Sequence, residues 1–327
     1  MKLCRFNILA AGAAACLILS TSCRAQTNDN PQTIKLALKL KQGQSQTCRL
    51  QTLSQRKVSV QGAQSEALAN FQGGQTTDKI EMVFDQYIEK TNGVGNAIEK
   101  ITIKELKFFA EVHDKPVLDF DSSKNTDPNS ALAALIGHGY TIEVTPSGKV
   151  ATVVDVNDAR DAIENKPSDK EAALRLLSEK TIEREHSIPL PNANDDELSS
   201  GDTWSNVVSF DFGLLGVKSF ERTFKIEKIE HVDGSEYAIV EMDAIPSAGG
   251  ERETYQEHAA SALPPMTDIR LDYTGQMNFN VTEGTLTKYQ ENLKNEWLIV
   301  PPVPGQSGPP FSISMTALQT YNIEEID

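Results

Sequence analysis

Apolar and polar residues alternate along most of this chain, over stretches too long to be isolated turns. Ile34, Leu36, Leu38 and Leu40 fall on one side of an extended segment, with Lys35, Lys39 and Lys41 on the other. A period of two marks a strand with one face buried. Beyond Gly43 a second strand is predicted over 47–60, and the Gln-, Gly-, Ala- and Ser-rich stretch 61–77 reads as a loop or weak helix. Ile80, Met82 and Phe84 lead to a turn at 91–96 that contains Asn92-Gly93, and Ile101, Ile103 and Phe109 continue on the far side. Asn-Gly between two alternating runs signals a hairpin. The same grammar recurs at 140–154 around Pro146-Ser147-Gly148, at 220–242 around Asp233-Gly234, and at 267–289 around Glu283-Gly284. A last strand carries Phe311, Ile313 and Met315, behind the Pro- and Gly-rich loop 301–310.

Helical patterns are gathered in the middle. Asp127 as N-cap and Pro128 at the first position open a helix over 128–136, whose stripe is Leu132, Leu135 and Ile136 and whose stop is Gly137. A short helix from Asn157 turns Ala159 and Ile163 inward, and a capping box of Ser168 and Glu171 starts a helix running to about Arg184. Its buried face is Ala173, Leu174, Leu176 and Leu177, and the Asn/Asp-rich loop 189–200 follows. No fixed-period repeat relates the two β-rich halves. The predicted fold is α+β: a curved antiparallel β-sheet built from long hairpins, with a few central helices packed on one face.

The first 33 residues follow a different pattern. Lys2 and Arg5 precede an apolar run over 6–19, and Ser20, Thr21 and Ser22 follow it. That arrangement describes a secretory signal, and the run is shorter than the roughly 20 apolar residues a spanning helix needs. Leu19-Ser20-Thr21-Ser22-Cys23 resembles a lipoprotein cleavage box, with the aliphatic residue one position further from the cysteine than usual. The expected organisation is a signal peptide over 1–22, lipid attachment at Cys23, a flexible polar tether over 23–33, and a globular region over 34–327 with a soft boundary near 186–203. Ordinary cleavage after Ala25 is the competing reading, giving a periplasmic or secreted chain. Lipidation instead gives a cell-envelope protein facing the periplasm, on the outer rather than the inner membrane.

The segments Leu36-Ala37-Leu38-Lys39-Leu40-Lys41-Gln42-Gly43-Gln44 and Val144-Thr145-Pro146-Ser147-Gly148-Lys149-Val150, together with the signal, are similar to an uncharacterised family of bacterial exported lipoproteins. The resemblance implies a cell-envelope location, and it carries over no catalytic residues.

Composition then narrows the function. There are 31 Lys and Arg against 46 Asp and Glu, a formal charge of −15 that becomes −17 when residues 1–22 take Lys2 and Arg5 away. Such a chain is poorly suited to nucleic acid or to anionic lipid headgroups, both of which are held by cations. Cys4 and Cys16 leave with the signal and Cys23 takes lipid, so Cys48 stands alone, in a predicted strand, as a small core residue. His113, His138, His186, His231 and His258 lack metal-ligand spacing and read as surface or strand-end residues, so no metal and no cofactor are expected. Residues 192–202 are acidic but lack the glycine and glutamate positions of a calcium loop. No Gly-x-Ser-x-Gly elbow or phosphate-cradling loop occurs, and Trp204, Trp297, Phe210, Phe212 and Phe220 are expected in the core. The expectation is a non-enzymatic envelope lipoprotein that binds a protein partner or a lipid-like ligand. The alternative is an exported hydrolase with scattered acidic catalytic residues.

Overall fold

The computed structural model describes residues 32–62, 73–124, 127–192, 197–212, 216–247, 266–299 and 311–326. Residues 32–327 form one compact unit. In chain order the elements are β1 Thr33–Ile34, β2 Ser45–Gly62, β3 Gly74–Thr91, β4 Ala97–Val112, β5 Lys115–Asp121, α1 Ala131–Ala134, β6 Gly139–Val144, β7 Val150–Asp155, α2 Asn157–Ile163, α3 Lys170–Leu176, α4 Glu179–His186, β8 Leu198–Ser199, β9 Thr203–Asp211, β10 Val217–Val232, β11 Ser235–Ser247, β12 Met266–Asn280, β13 Thr285–Ile299 and β14 Phe311–Glu325. Among the described residues no helix is long and apolar enough to cross a membrane.

The long alternating runs build one open, 12-stranded antiparallel sheet in the order β7-β6-β4-β3-β2-β14-β13-β12-β11-β10-β9, with β5 also paired to β4. Each half of the chain is a meander, and the two meet where β2 and β14 pair without a register shift from Cys48↔Glu325 to Gly62↔Phe311. Alternation sets one apolar side. Leu106, Met82, Leu50, Ile323, Tyr289, Met277, Val240 and Ile226 are register neighbours across eight strands, and all are buried. The other side carries polar neighbours such as Arg49 with Glu324 at 3.3 Å and Lys107 with Glu81 at 2.8 Å.

One bulge is visible in the sequence itself. Buried positions in β4 run Ile101, Ile103 and then Leu106, Phe108, Ala110, a slip of one residue. The register shifts there, with Val83 opposite Glu105 and Phe84 opposite Ile103, so Lys104 is the extra residue and both flanks keep their apolar side inward.

Three predicted elements differ. The strand over 34–40 is a strand only at Thr33–Ile34, which pairs with Ser199 and Leu198. Beyond it the chain stays extended but crosses the ends of other strands: the Leu38 amide donates to Pro146 O (2.8 Å) and the Lys39 amide to Gly284 O (3.0 Å). Lys39 Nζ adds bonds to the carbonyls of Val281 and Thr282. The segment is therefore a strap tying the β6–β7 turn to the β12–β13 turn, and two separate turns cannot form a ladder with it. The helix expected over 128–136 shrinks to α1, because Asp127 Oδ1 accepts from the Asn129 amide in a turn and Ser130 Oγ caps the helix at Ala133 N.

The helix expected from Ser168 is two helices. Ser168 is held in a bridge to Ser130, its carbonyl accepting from Ala131 N and its amide donating to Asn129 O, so it caps nothing. Asp169 enters α3 at φ +58°, with its carboxylate on Ser130 Oγ. Ser178 then caps α4 at Thr181 N and ends the run. Ala173, Leu176 and Leu177 are buried as expected, whereas Leu174 is 44% exposed. In α2, Ala159 and Ile163 point inward as predicted. Contacts tie α3 and α4 to named strand residues: Arg175 lies 5.1 Å over the Phe108 ring and bonds Asp78, and the Tyr321 hydroxyl donates to Glu185 O.

Candidate functional site

Three groups of polar side chains interrupt the apolar side of the sheet. The first lies in the second half, on the row Tyr321–Glu291–Gly275–Met242–Phe224–Trp204. Arg222, from β10, bonds Glu291 on β13, and its Nε donates to Asn206 Oδ1 at 2.8 Å. The hydroxyls of Tyr273 and Tyr289 both donate to the Glu291 carboxylate. Burial, and then the Glu291 charge, push both phenols above their ordinary value, so they remain donors. Gly275 stands between the two partners. A Cβ there would lie 2.7 Å from Gln290 O and 2.8 Å from Met242 Cε, so only glycine fits. The aromatic residues expected in the core surround this cluster, with Trp297 against Phe212 and Trp204 stacked on Phe224. Both Glu291 oxygens and the Arg222 Nε and Nη1 are engaged, which makes the pair a structural clamp.

The second group joins α4 to the sheet. His186 Nε2 and the Tyr140 hydroxyl share a 2.6 Å hydrogen bond, and the His186 ring meets Phe84 edge-on at 5.0 Å. This corrects the surface reading of His186. Burial lowers its pKa to about 4, leaving it neutral, and burial raises the neighbouring Glu185 to about 7 against the opposing effect of Arg184.

The third group has a cavity. Residues Gln46 on β2, Gln86 on β3, and Glu99 and Ile101 on β4 share the inward side near one end of the first half. The strap residues Leu38, Lys39 and Leu40, with Gln44, Cys48, Ile88, Ile188, Leu286 and Ile323, line a partly open cavity of about 50 Å³ beside them. Glu99 is 1% exposed. Its Oε2 accepts from Gln86 Nε2 at 2.6 Å, and among the described residues its Oε1 and the Oε1 of Gln44 have no hydrogen-bond partner. Burial raises Glu99 to about 7, with the Gln86 bond opposing. Cys48, buried as predicted, is pushed to about 12 by burial and then by the charges of Glu325 and Glu99.

The other residues singled out in the sequence do not converge here. His113 sits in the β4–β5 turn at φ +50°, His231 ends β10, and His138 Nδ1 bonds Asp158 at 3.0 Å. Cys23 and His258 lie outside the described residues, as do 193–196 of the acidic loop. Among the described residues no three His, Cys, Asp or Glu side chains are grouped to hold a metal ion. Glu99, Arg222 and Glu291 were not singled out, although a signal existed. Each is a charged residue in phase with buried apolar neighbours: Ala97 and Ile101, Phe220 and Phe224, Tyr289 and Leu293.

No curated protein matches the chain. Among solved structures, a chain from one titled for lipid–protein interactions in lipovitellin gives a TM-score of 0.42 at 8% identity, covering 88% of this chain and 25% of that one. This chain therefore spans about a quarter of that protein's length. A family model described as a family of unknown function (DUF6263) matches residues 95–286, from the turn before β4 into the start of β13, which is more than half of the sequence; the chain belongs to that family.

Proposed function

We propose that this protein is a non-enzymatic lipoprotein of a bacterial-type cell envelope, anchored through Cys23 and facing the periplasm, where it binds a lipid-like ligand or a protein partner. In this reading α1 to α4 cover one face of a curved sheet, and the apolar wall beneath the strap seats the ligand. The observation that supports the non-catalytic reading is that neither the buried thiol nor the buried imidazole is poised for nucleophilic chemistry. Cys48 needs deprotonation and is pushed to about 12, while His186 is neutral and bonded to Tyr140. The cavity wall of Leu38, Leu286 and Ile323 supports an apolar ligand.

The hydrolase alternative has one favourable observation, that Glu99 and Glu185 are both raised to about 7, in the range of a general acid. Two experiments test the proposal. Wild type should partition into detergent and Cys23→Ser should not; equal aqueous partitioning, with a mature N-terminus at Gln26, would sink the anchor. Soluble protein titrated with a fatty acid should show NMR shifts at Leu38, Leu286 and Ile323. Absence of shifts there, with ester or glycoside turnover abolished by Glu99→Gln, would favour the hydrolase.

A further inference from the structure

The cavity that would seat the lipid-like ligand also has a polar wall, and the inference drawn from it does not rest on that ligand: the two would compete for the same space. A buried carboxylate is normally held by a cation or fully hydrogen-bonded, because an unsatisfied charged acceptor away from water is costly. Glu99 has Gln86 on one oxygen only; its second oxygen and Gln44 Oε1 are buried without a partner among the described residues, and both residues line the same cavity. Register places them together: Ile88 N donates to Gln44 O, and Ile88 is the β-partner of Glu99, so both acceptors flank Ile88 on the inward side.

The other charged groups lining the cavity leave this demand unmet. Lys39 directs its Nζ to the carbonyls of Val281 and Thr282. Glu324 is paired with Arg49 and Lys288, and Glu325 acts on the Cys48 thiol as a negative charge. The cavity thus presents acceptors and negative potential. One buried carboxylate is too few for a divalent ion, which takes several hard oxygen ligands. A volume of about 50 Å³ holds a small ion with one or two waters.

We propose that the cavity between the strap and β4 is a binding site for a small monovalent cation, ammonium or an alkali ion, held by Glu99 Oε1 and Gln44 Oε1. Binding exchanges a proton for the ion: the Glu99 carboxylic acid releases its proton to solvent and the carboxylate takes the cation, with charge conserved. The exchange is favoured by the raised pKa of Glu99, near 7, since the proton is released at neutral pH.

The test is a pH titration of the Glu99 side-chain carbon by NMR in protein labelled at glutamate, assigned by loss of its signal in Glu99→Gln. Ammonium, potassium or sodium chloride is compared with tetramethylammonium chloride, too large for the cavity, at equal ionic strength. At a concentration tenfold above its dissociation constant, a bound cation should lower the Glu99 pKa by about one unit. Gln44→Leu should reduce that shift and leave the titration in tetramethylammonium unchanged. A shift with ammonium alone means the site reads N–H donors, and a shift with alkali ions as well means it reads charge. Identical pKa values in all four salts would overturn the proposal and leave an ordinary hydrated cavity. If Glu99→Gln does not fold, the comparison of wild type with Gln44→Leu decides the matter.

Discussion

Tyr140 and His186 meet at 2.6 Å between the phenol oxygen and Nε2, with Tyr140 4% and His186 7% exposed. The bond fastens α4 to β6 and satisfies that ring nitrogen. Tyr140→Phe keeps the ring and leaves the nitrogen buried without its partner. The expected loss is about 1–3 kcal/mol, the desolvation cost of an orphaned buried polar group, read from urea unfolding. A loss within a few tenths of a kcal/mol would mean that His186 finds another partner.

Stability should fall as pH rises from about 5 to 7, and two buried acids set the direction. Glu99 and Glu185 go from 4.5 in a free side chain to about 7 when folded. Above pH 4.5 the unfolded chain releases those protons while the folded chain keeps them, so stability declines until pH 7 and then levels. Each shift is on the order of 3 kcal/mol. His186 has the opposite effect, being lowered from 6.5 to about 4, so the stability of its neutral form is lost as pH falls from 6.5 to 4. Glu81 and Asp158, lowered by hydrogen bonds from Lys107 and His138, also favour the folded state above their unfolded pKa values and lose that contribution in acid. Thermal melts in tetramethylammonium chloride should therefore peak near pH 5. Glu99→Gln should raise the melting temperature at pH 8 and flatten the decline, and an unchanged profile would show that Glu99 is not the buried acid responsible.

The clamp between Arg222 and Glu291 predicts an asymmetry. Removing one partner leaves the other charge buried, so Glu291→Met alone is expected to cost about 3–5 kcal/mol. The double replacement Arg222→Met/Glu291→Met leaves no charge behind and should recover much of that loss. A double-mutant cycle checks it, and simple additivity of the two single losses would show that the partners act separately.

Much of the sheet is legible in the sequence because period two does not depend on distant context. The hairpins turning at Asn92-Gly93, Asp233-Gly234 and Glu283-Gly284 all occur, and even the bulge at Lys104 is written in the slip from Ile103 to Leu106. The strap was misread because burial alternates along it as in a strand, while hydrogen bonding depends on which backbone lies alongside. The capping box fails for a related reason: Ser168 is a good cap in isolation, but its backbone belongs to the bridge with Ser130. The cavity was invisible because its two acceptors lie 55 positions apart, Gln44 and Glu99, and meet only through register.

The strap itself gives the last prediction. Gly284 has φ +68°, and a Cβ on it would lie 2.3 Å from Lys39 Cγ, 2.5 Å from Lys39 Cβ and 2.6 Å from Lys39 N. Backbone as well as side chain is in the way, so rotating the lysine does not relieve the contact. Gly284→Ala should therefore push the strap off the β12–β13 turn and break the bonds from Lys39 N and Nζ, whereas β12 and β13 keep their long ladder. Local opening follows contact loss rather than global stability. The expected readout is faster hydrogen exchange at the amides of Leu38 and Lys39, with protection at Met277 and Tyr289 in the middle of the sheet kept. Lys39→Met, which removes only the Nζ bonds, should show a smaller acceleration at the same amides. Equal protection of Leu38 and Lys39 in wild type and Gly284→Ala would mean that the strap is held by β1 and Pro146 alone. Uniform loss of protection, reaching Met277, would mean instead that the strap and the sheet unfold as one unit.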